Sequence, residues 1–207
     1  MKVKGVRKLH TITGHRDSVY TVQQGKNAHD VFSAGGDGMV VHWDMRAPET
    51  GGLVAKLPNS VFAVHYLPNE DKILASQNFE GIHLLDYVNK KEEKSLQLTR
   101  SYIFDVQSLG NRAYVAGGYV PVHDVAAHMY TINHIAFSPN GKHFVTCSMD
   151  KSIKVWDNAG FTLLKVIDKA RHAGHGTSVN KLVWTSFNNQ LVSASDDRTL
   201  SVWEIIF

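Results

Sequence analysis

Apolar and polar residues alternate along this chain in short runs, and most runs end at a cluster of Gly, Asn, Asp or Ser. Alternation with a period of two gives a strand one apolar and one polar face, so the runs predict half-buried β-strands separated by turns. The opening run covers 3–12. Groups follow at 18–24, 30–34, 39–44 and 53–57, and at 61–67, 73–77, 82–86 and 94–98. Runs at 103–109, 112–117 and 119–125 make a shorter group, three between His128 and Asp157 with another at 161–167 make a full one, and 179–184, 190–194 and 199–205 come last. No helical period is sustained anywhere, so the expected fold class is all-β. Residues 168–174, with Arg171 and His172, read as a loop, and the charged KKEEK at 90–94 as a solvated turn and strand edge.

A polar pattern repeats on top of the strands. His15, Ser33, Asp37 and Trp43 stand at the same offsets as His128, Thr146, Asp150 and Trp156, and as His175, Ser193, Asp197 and Trp203, at 18, 22 and 28 residues from each His. Such periodicity marks a repeat protein, whose units bury their faces only against each other. Taking Val19, Val61, Ile103, Ile132 and Val179 as the first apolar residue of each copy, the spacings are 42, 42, 29 and 47, so the third copy is 13 residues short. That is about one strand and its turn. The second copy keeps the strand pattern but has Leu85 in place of the Trp and neither the His nor the Asp. One domain, 1–207, is expected, with repeats at about 13–57, 58–98, 99–125, 126–167 and 168–207. The last repeat lacks a strand and the chain opens on an orphan one, so 3–12 is expected to pair beside 200–205 and close a ring, which removes the exposed sheet edges.

Composition narrows the class. Of 207 residues, 43% are hydrophobic and 20% charged, as in an ordinary globular protein. The net charge of +3 is spread out and gives no footprint for nucleic acid. Cys147 is the only cysteine, which rules out an internal disulfide framework and suits a reducing compartment. Neither a signal peptide nor a membrane-spanning run is read, so a cytoplasmic location with no membrane partner is the expectation.

Gly14-His15, Asp37 and Trp43-Asp44 in the first copy, Ala127-His128, Asp150 and Trp156-Asp157 in the fourth, and Gly174-His175, Asp197 and Trp203-Glu204 in the fifth resemble the WD40-repeat family. The resemblance implies a β-propeller of four-stranded blades around a channel, serving as a platform for protein partners. It also implies a fastener in each blade, in which Asp accepts from His, His meets the Ser or Thr, and that hydroxyl meets the Trp indole. The chain departs from the family in number. Seven blades subtend about 51° each, whereas five must fill about 72°. Residues 118–125 read as a junction where a larger propeller lost blades, by natural deletion or engineering, and the strain is expected to be relieved by self-association into a homo-oligomer or by spread blades.

His, Ser or Thr, and Asp are also the residue types of a hydrolase triad. Three equivalent copies argue against that reading, because an enzyme needs one site and a repeat protein needs its fastener in every unit. The 12 histidines, including His123, His134 and His172, lack cysteine companions and a regular ligand spacing, so no metal and no cofactor is expected. One position rises above packing, the residue after each anchor: Tyr20, Phe62, Phe104, Asn133 and Asn180. The family resemblance places it on the top rim of the channel, with the residue before the turn Asp, filled by Met149 and Asp196 where it is not Gly36. Aromatics are enriched at binding hot spots, so these residues are the candidate partner site, with packing between blades as the competing account. The sequence therefore points to a non-catalytic protein- or peptide-binding platform. A rearranged propeller whose main property is folding and assembly, and a propeller hydrolase or lyase, are the alternatives.

Overall fold

Strands that are apolar on both faces must be covered on both faces, and the chain meets this demand by stacking small sheets side by side. The computed structural model describes residues 3–77, 81–96, 108–109, 112–113 and 127–207. After β1 (Gly5–Ile12), the first blade is β2 (Val19–Gln24), β3 (Asp30–Gly35), β4 (Met39–Asp44) and β5 (Gly51–Lys56). The second is β6 (Val61–Leu67), β7 (Lys72–Gln77), β8 (Gly81–Asp86) and β9 (Lys91–Leu96). In the third copy the described strands are β10 (Ser108–Leu109) and β11 (Arg112–Ala113), which pair; the expected strand at 119–125 and Phe104 lie outside the described residues. The fourth blade is β12 (Ile132–Phe137), β13 (His143–Ser148), β14 (Ile153–Asp157) and β15 (Leu163–Ile167). A helical turn, α1 (Lys169–His172), precedes the fifth, β16 (Val179–Trp184), β17 (Gln190–Ser195) and β18 (Leu200–Ile206).

Each four-stranded sheet is an antiparallel meander, and β1 is the fourth strand of the fifth blade, giving the order β1-β18-β17-β16. Its register shows that it is a true equivalent. Pairing between third and fourth strands shifts at Val40/Val41, at Leu84/Leu85 and at Val155/Trp156, and β1 carries the same irregularity between Lys8 and His10. The architecture is thus the all-β propeller, with four complete four-stranded blades among the described residues.

Local chemistry sets several boundaries differently from the sequence pattern. The fourth strand of the first blade starts at Gly51 and not at 53, because a Cβ there would lie 2.5 Å from the Trp43 ring, so a glycine is needed for the strand to pass under the indole. Strand β9 starts inside the charged run: Glu92 and Glu93 reach back to His83 (2.8 Å) and Lys72 (2.5 Å), and an edge strand facing water tolerates charge. Residues 168–174 hold a helical turn in place of the expected loop, since Asp168 caps it by accepting from the Arg171 N–H at 2.9 Å.

Among the described residues, three cores join neighbouring blades. Val192, Ala194, Leu200 and Val202 of the fifth blade meet Val19, Val22, Val31 and Val41 of the first. Phe32, Ala34 and Val54 of the first meet Val61, Val64 and Leu85 of the second, and Val145, Cys147 and Val155 of the fourth meet Val179, Leu182 and Trp184 of the fifth. Each fully buried aliphatic side chain contributes about 1.5–3 kcal/mol. The fourth blade differs on its other side. Ile132, Ile135 and Phe137 on β12 are 42%, 49% and 59% exposed, although the equivalents of Ile135 in the other blades, Val22, Val64 and Leu182, are only 1%, 4% and 2% exposed.

Completion of the fifth blade by β1 predicts a sharp contrast within that strand. Ile12, buried in the core between blades five and one, should lose about 2–5 kcal/mol on change to Ala. Exposed Thr11 changed to Ala should stay within about 0.5 kcal/mol. Urea unfolding of the two variants measures this, and equal effects would mean that β1 is a dispensable edge.

Candidate functional site

The polar markers converge inside their blades because the first strand is preceded, and the second followed, by turns at the same end of the sheet. In the first blade His15 Nδ1 lies 2.9 Å from Asp37 Oδ2, His15 Nε2 lies 2.8 Å from Ser33 Oγ, and the Trp43 indole N–H donates to Ser33 Oγ at 2.7 Å. The fourth blade repeats this with His128–Asp150 at 2.7 Å, His128–Thr146 at 2.7 Å and Trp156–Thr146 at 3.0 Å. The fifth does so with His175–Asp197 at 2.8 Å, His175–Ser193 at 2.8 Å and Trp203–Ser193 at 2.9 Å. The network orients each imidazole: Nδ1–H donates to the carboxylate, and Nε2 pairs with the hydroxyl oxygen, which also accepts from the indole.

Carboxylates Asp37, Asp150 and Asp197 are held below their usual pKa. Burial opposes this in each case, but hydrogen bonds outweigh it: backbone N–H groups of Arg16 and Met39 for Asp37, Ser152 and His128 for Asp150, His175 and Thr199 for Asp197. Burial also lowers the pKa of His128, against the pull of Asp150. Chemically the trios are closed. Ser33 and Ser193 are fully buried and Thr146 is 2% exposed, and each hydroxyl lies between imidazole and indole with no open side for a substrate.

The second blade does without this device. Leu85 fills the Trp position within the apolar core. Tyr66 and Tyr87 donate instead to Asp71 at 2.6 and 3.1 Å, and Lys26 of the first blade reaches the same carboxylate at 2.9 Å. Among the histidines weighed as ligands, His134 accepts from the Leu182 N–H at 3.3 Å, His172 sits on α1, and His123 lies outside the described residues. Cys147 is buried, and burial pushes its thiol pKa up.

At the rim, the residue after each anchor proves to be a β-bulge. Pairing of first and second strands skips from Val19 to Thr21, Val61 to Ala63, Ile132 to His134 and Val179 to Lys181, leaving Tyr20, Phe62, Asn133 and Asn180 out of the ladder. A bulge re-aims its side chain. Here Asn133, Asn180 and Tyr20 turn to the next blade: Asn133 donates to Val179 O at 2.8 Å and Ser178 Oγ at 3.0 Å, and Asn180 donates to Val19 O at 3.0 Å and, within its own blade, to Asp196 Oδ1 at 2.7 Å. Tyr20 stacks on Phe62 with ring centroids 5.1 Å apart and planes 8° from parallel, both half-buried. The structure therefore groups Tyr20 with Phe62 and Asn180 with Asp196, engages the Asn133 amide between blades, and leaves Met149 53% exposed on the fourth blade. Sequence reasoning did not single out Asp17 or Ser178, which also stand at this rim; the only signal was their place just before the first strand.

Comparison with known proteins follows the same repeats. The family model described as "WD domain, G-beta repeat" matches residues 6–44, 119–157 and 167–204. The chain is 28% identical over 191 residues to eukaryotic translation initiation factor 3 subunit I of Emericella nidulans, covering 76% of this chain and 55% of that protein. It is 36% identical over 83 residues to nucleoporin SEH1-B of Xenopus laevis, which covers 39% of this chain and 22% of that one. The chain thus spans about half the length of the first relative and less of the second. The solved WD40 β-propeller domain of Doa1 superposes with a TM-score of 0.77 over 97% of both chains at 13% identity, a likeness of fold.

The closed trios make a stability prediction. Ser193→Ala would leave the His175 Nε2 and the Trp203 N–H unpaired and should cost about 1–3 kcal/mol for each group orphaned, whereas Ser193→Thr, which copies the fourth blade, should keep most of it. The pH dependence follows from the shifts. His128, whose pKa burial lowers, contributes stability that is complete above its unfolded value of about 6.5 and is lost as the pH falls from there through the lower folded value. The depressed carboxylates contribute stability present above about 4 and lost below it. Thermal midpoints of the native chain should therefore be flat between about pH 7 and 8, decline gently below about 6.5 through His128, His143 and His172 and steeply below about 4, and fall again above about 8.5, where the buried Cys147 thiol must stay protonated in the fold. A midpoint that rises between pH 7 and 5 would contradict the assignment.

Proposed function

This chain belongs to the WD40-repeat family, and on that premise we propose that it is a non-catalytic platform for a protein or peptide partner, with 1–207 acting as one propeller domain. The observation that carries the reading is the stacked Tyr20–Phe62 pair, two half-exposed aromatics presented by neighbouring bulges on the rim. Rigid aromatics offer large contact area with little rotamer entropy to lose, which is why they recur as binding anchors. The closed hydroxyls of the trios support the non-catalytic part of the reading, since no exposed nucleophile is paired with a base there. Two relatives bear names of parts of larger assemblies, an initiation-factor subunit and a nucleoporin, which agrees with a scaffold role. A modest net charge of +3 supports a protein and not a nucleic acid or membrane partner, and the free buried thiol of Cys147 suits the cytoplasm.

Self-association is a second reading, favoured by β12. The exposed face formed by Ile132, Ile135 and Phe137 carries no charge, so two copies can meet through it without like-charge repulsion. Light scattering of the full chain across a range of concentration reads it directly: a mass of one chain throughout removes this reading and leaves the first.

The platform reading is tested by cross-linking the full chain in cell extract, identifying the attached protein, and measuring its purified binding to Tyr20→Ala and Phe62→Ala variants. Affinity should drop at least about tenfold. Losing the stacking, about 0.5–1.5 kcal/mol, and the burial of one half-buried ring, about 1–2 kcal/mol, should lower the thermal midpoint by less than about 10 °C without abolishing the transition. Unchanged affinity, or collapse of the midpoint, would make the pair core and overturn the reading.

A further inference from the structure

We propose that the rim above blades five, one and two receives a cationic side chain, arginine or lysine, from the partner protein. This deepens the platform reading and rests on it. Two carboxylates lie on the Tyr20 side of the aromatic pair, one from each of two neighbouring blades. On the fifth blade Asp196 is held by Asn180, whose amide also donates to Val19 O, the backbone next to Tyr20. On the first blade the equivalent of Asp196 is Gly36, and its missing side chain is replaced in space by Asp17: a Cβ on Gly36 would fall 2.8 Å from Asp17 Oδ2. The Asp17 carboxylate is fixed by the Ser18 N–H at 2.7 Å. The fourth blade has apolar Met149 at this place, so the acidic arrangement is particular to blades five and one.

Both carboxylates are near Tyr20. Its hydroxyl titrates above the ordinary tyrosine value, first through burial and then through repulsion of the phenolate by Asp17 and Asp196. Neither carboxylate forms an ion pair among the described residues, in contrast to Asp44 with Arg46, Asp71 with Lys26 and Asp168 with Arg171. An aromatic surface beside two carboxylates that have no ion pair among the described residues matches a guanidinium or ammonium group. The ring quadrupole attracts the cation, the carboxylates neutralise it, and an arginine can use both kinds of contact at once.

Fluorescence anisotropy with the full chain tests this, using labelled peptides of one random-flank library whose central residue is Arg, Lys, Gln or Glu. The Arg and Lys libraries should bind about tenfold more tightly than the Gln library, with Glu weakest, and added salt should narrow the gap. The Asp17→Asn, Asp196→Asn double variant keeps the shape and the hydrogen bonds from Ser18 and Asn180, and it should bring Arg and Gln to within about twofold while the thermal midpoint stays put. Two results would overturn the proposal: equal binding of the Arg and Gln libraries, or a cation preference that survives the double variant. If binding ignores charge but is still lost in Tyr20→Ala, the platform stands and the cation site falls; if Tyr20→Ala changes no binding, both fall.

Discussion

A six-residue, four-stranded sheet with apolar residues on both faces can bury neither face alone, and the rest of this structure follows from that constraint. Stacking sheets face to face supplies the cover, so each core belongs to two blades: Phe32 and Ala34 of the first lie against Val61 and Val64 of the second, and Val145 and Cys147 of the fourth against Val179 and Leu182 of the fifth. The same constraint fixes the role of β1. A fifth blade made only of β16, β17 and β18 would leave the outer edge of β18 open, and the strand that pairs there comes from the other end of the sequence. Ile12 then enters the core between blades five and one, so completing the fifth blade and filling a core are a single event.

Within a blade, the problem changes from covering faces to fixing turns. The His–Asp pair ties the turn before the first strand to the turn after the second, and the Ser or Thr hydroxyl passes that tie inward to the Trp on the third. Every polar atom in the trio has a partner, which is what allows it to sit in an apolar interior. The second blade shows the alternative, with Leu85 packed where the indole would be and the polar work moved outward to Tyr66, Tyr87 and Asp71. Both solutions hold a blade, and they differ in where the buried polarity is placed.

Much of this is legible in sequence because register is rigid. An antiparallel ladder converts a fixed number of residues into a fixed place, so the recurring offset of 18 between His and hydroxyl, and of 22 between His and Asp, can carry the same hydrogen bonds in each blade. Alternation likewise marks β2, β6, β12 and β16 as half-buried strands. What the pattern hides are departures from the ladder. Nothing in the alternation of 19–24 shows that Tyr20 is skipped in the pairing, because a bulge adds a residue without changing residue type. The helical turn at Lys169–His172 is hidden for a similar reason, being too short for a helical period and set by one side chain, Asp168. The start of β5 at Gly51 depends on the closeness of Trp43, a contact between strands that no window along the chain contains.

The bulges also separate two demands that compete elsewhere in a packed protein. A residue in the ladder must satisfy its own sheet, whereas the bulged residue has only its neighbouring blade to satisfy, and chemistry can vary there without disturbing register. Asn133 and Asn180 meet the demand with an amide that reaches a backbone carbonyl of the next blade. Tyr20 and Phe62 meet it by stacking on each other, which needs no hydrogen bond from either ring face and leaves part of each aromatic at the surface. Replacing an amide by an aromatic at this position keeps the blades coupled and changes what the rim presents. With Gly36 giving its space to the Asp17 carboxylate, the coupling between blades one and two and the chemistry we propose for a partner come from the same few residues. A rim built in this way can change its side chains one bulge at a time, because the trios and the apolar cores also hold the blades.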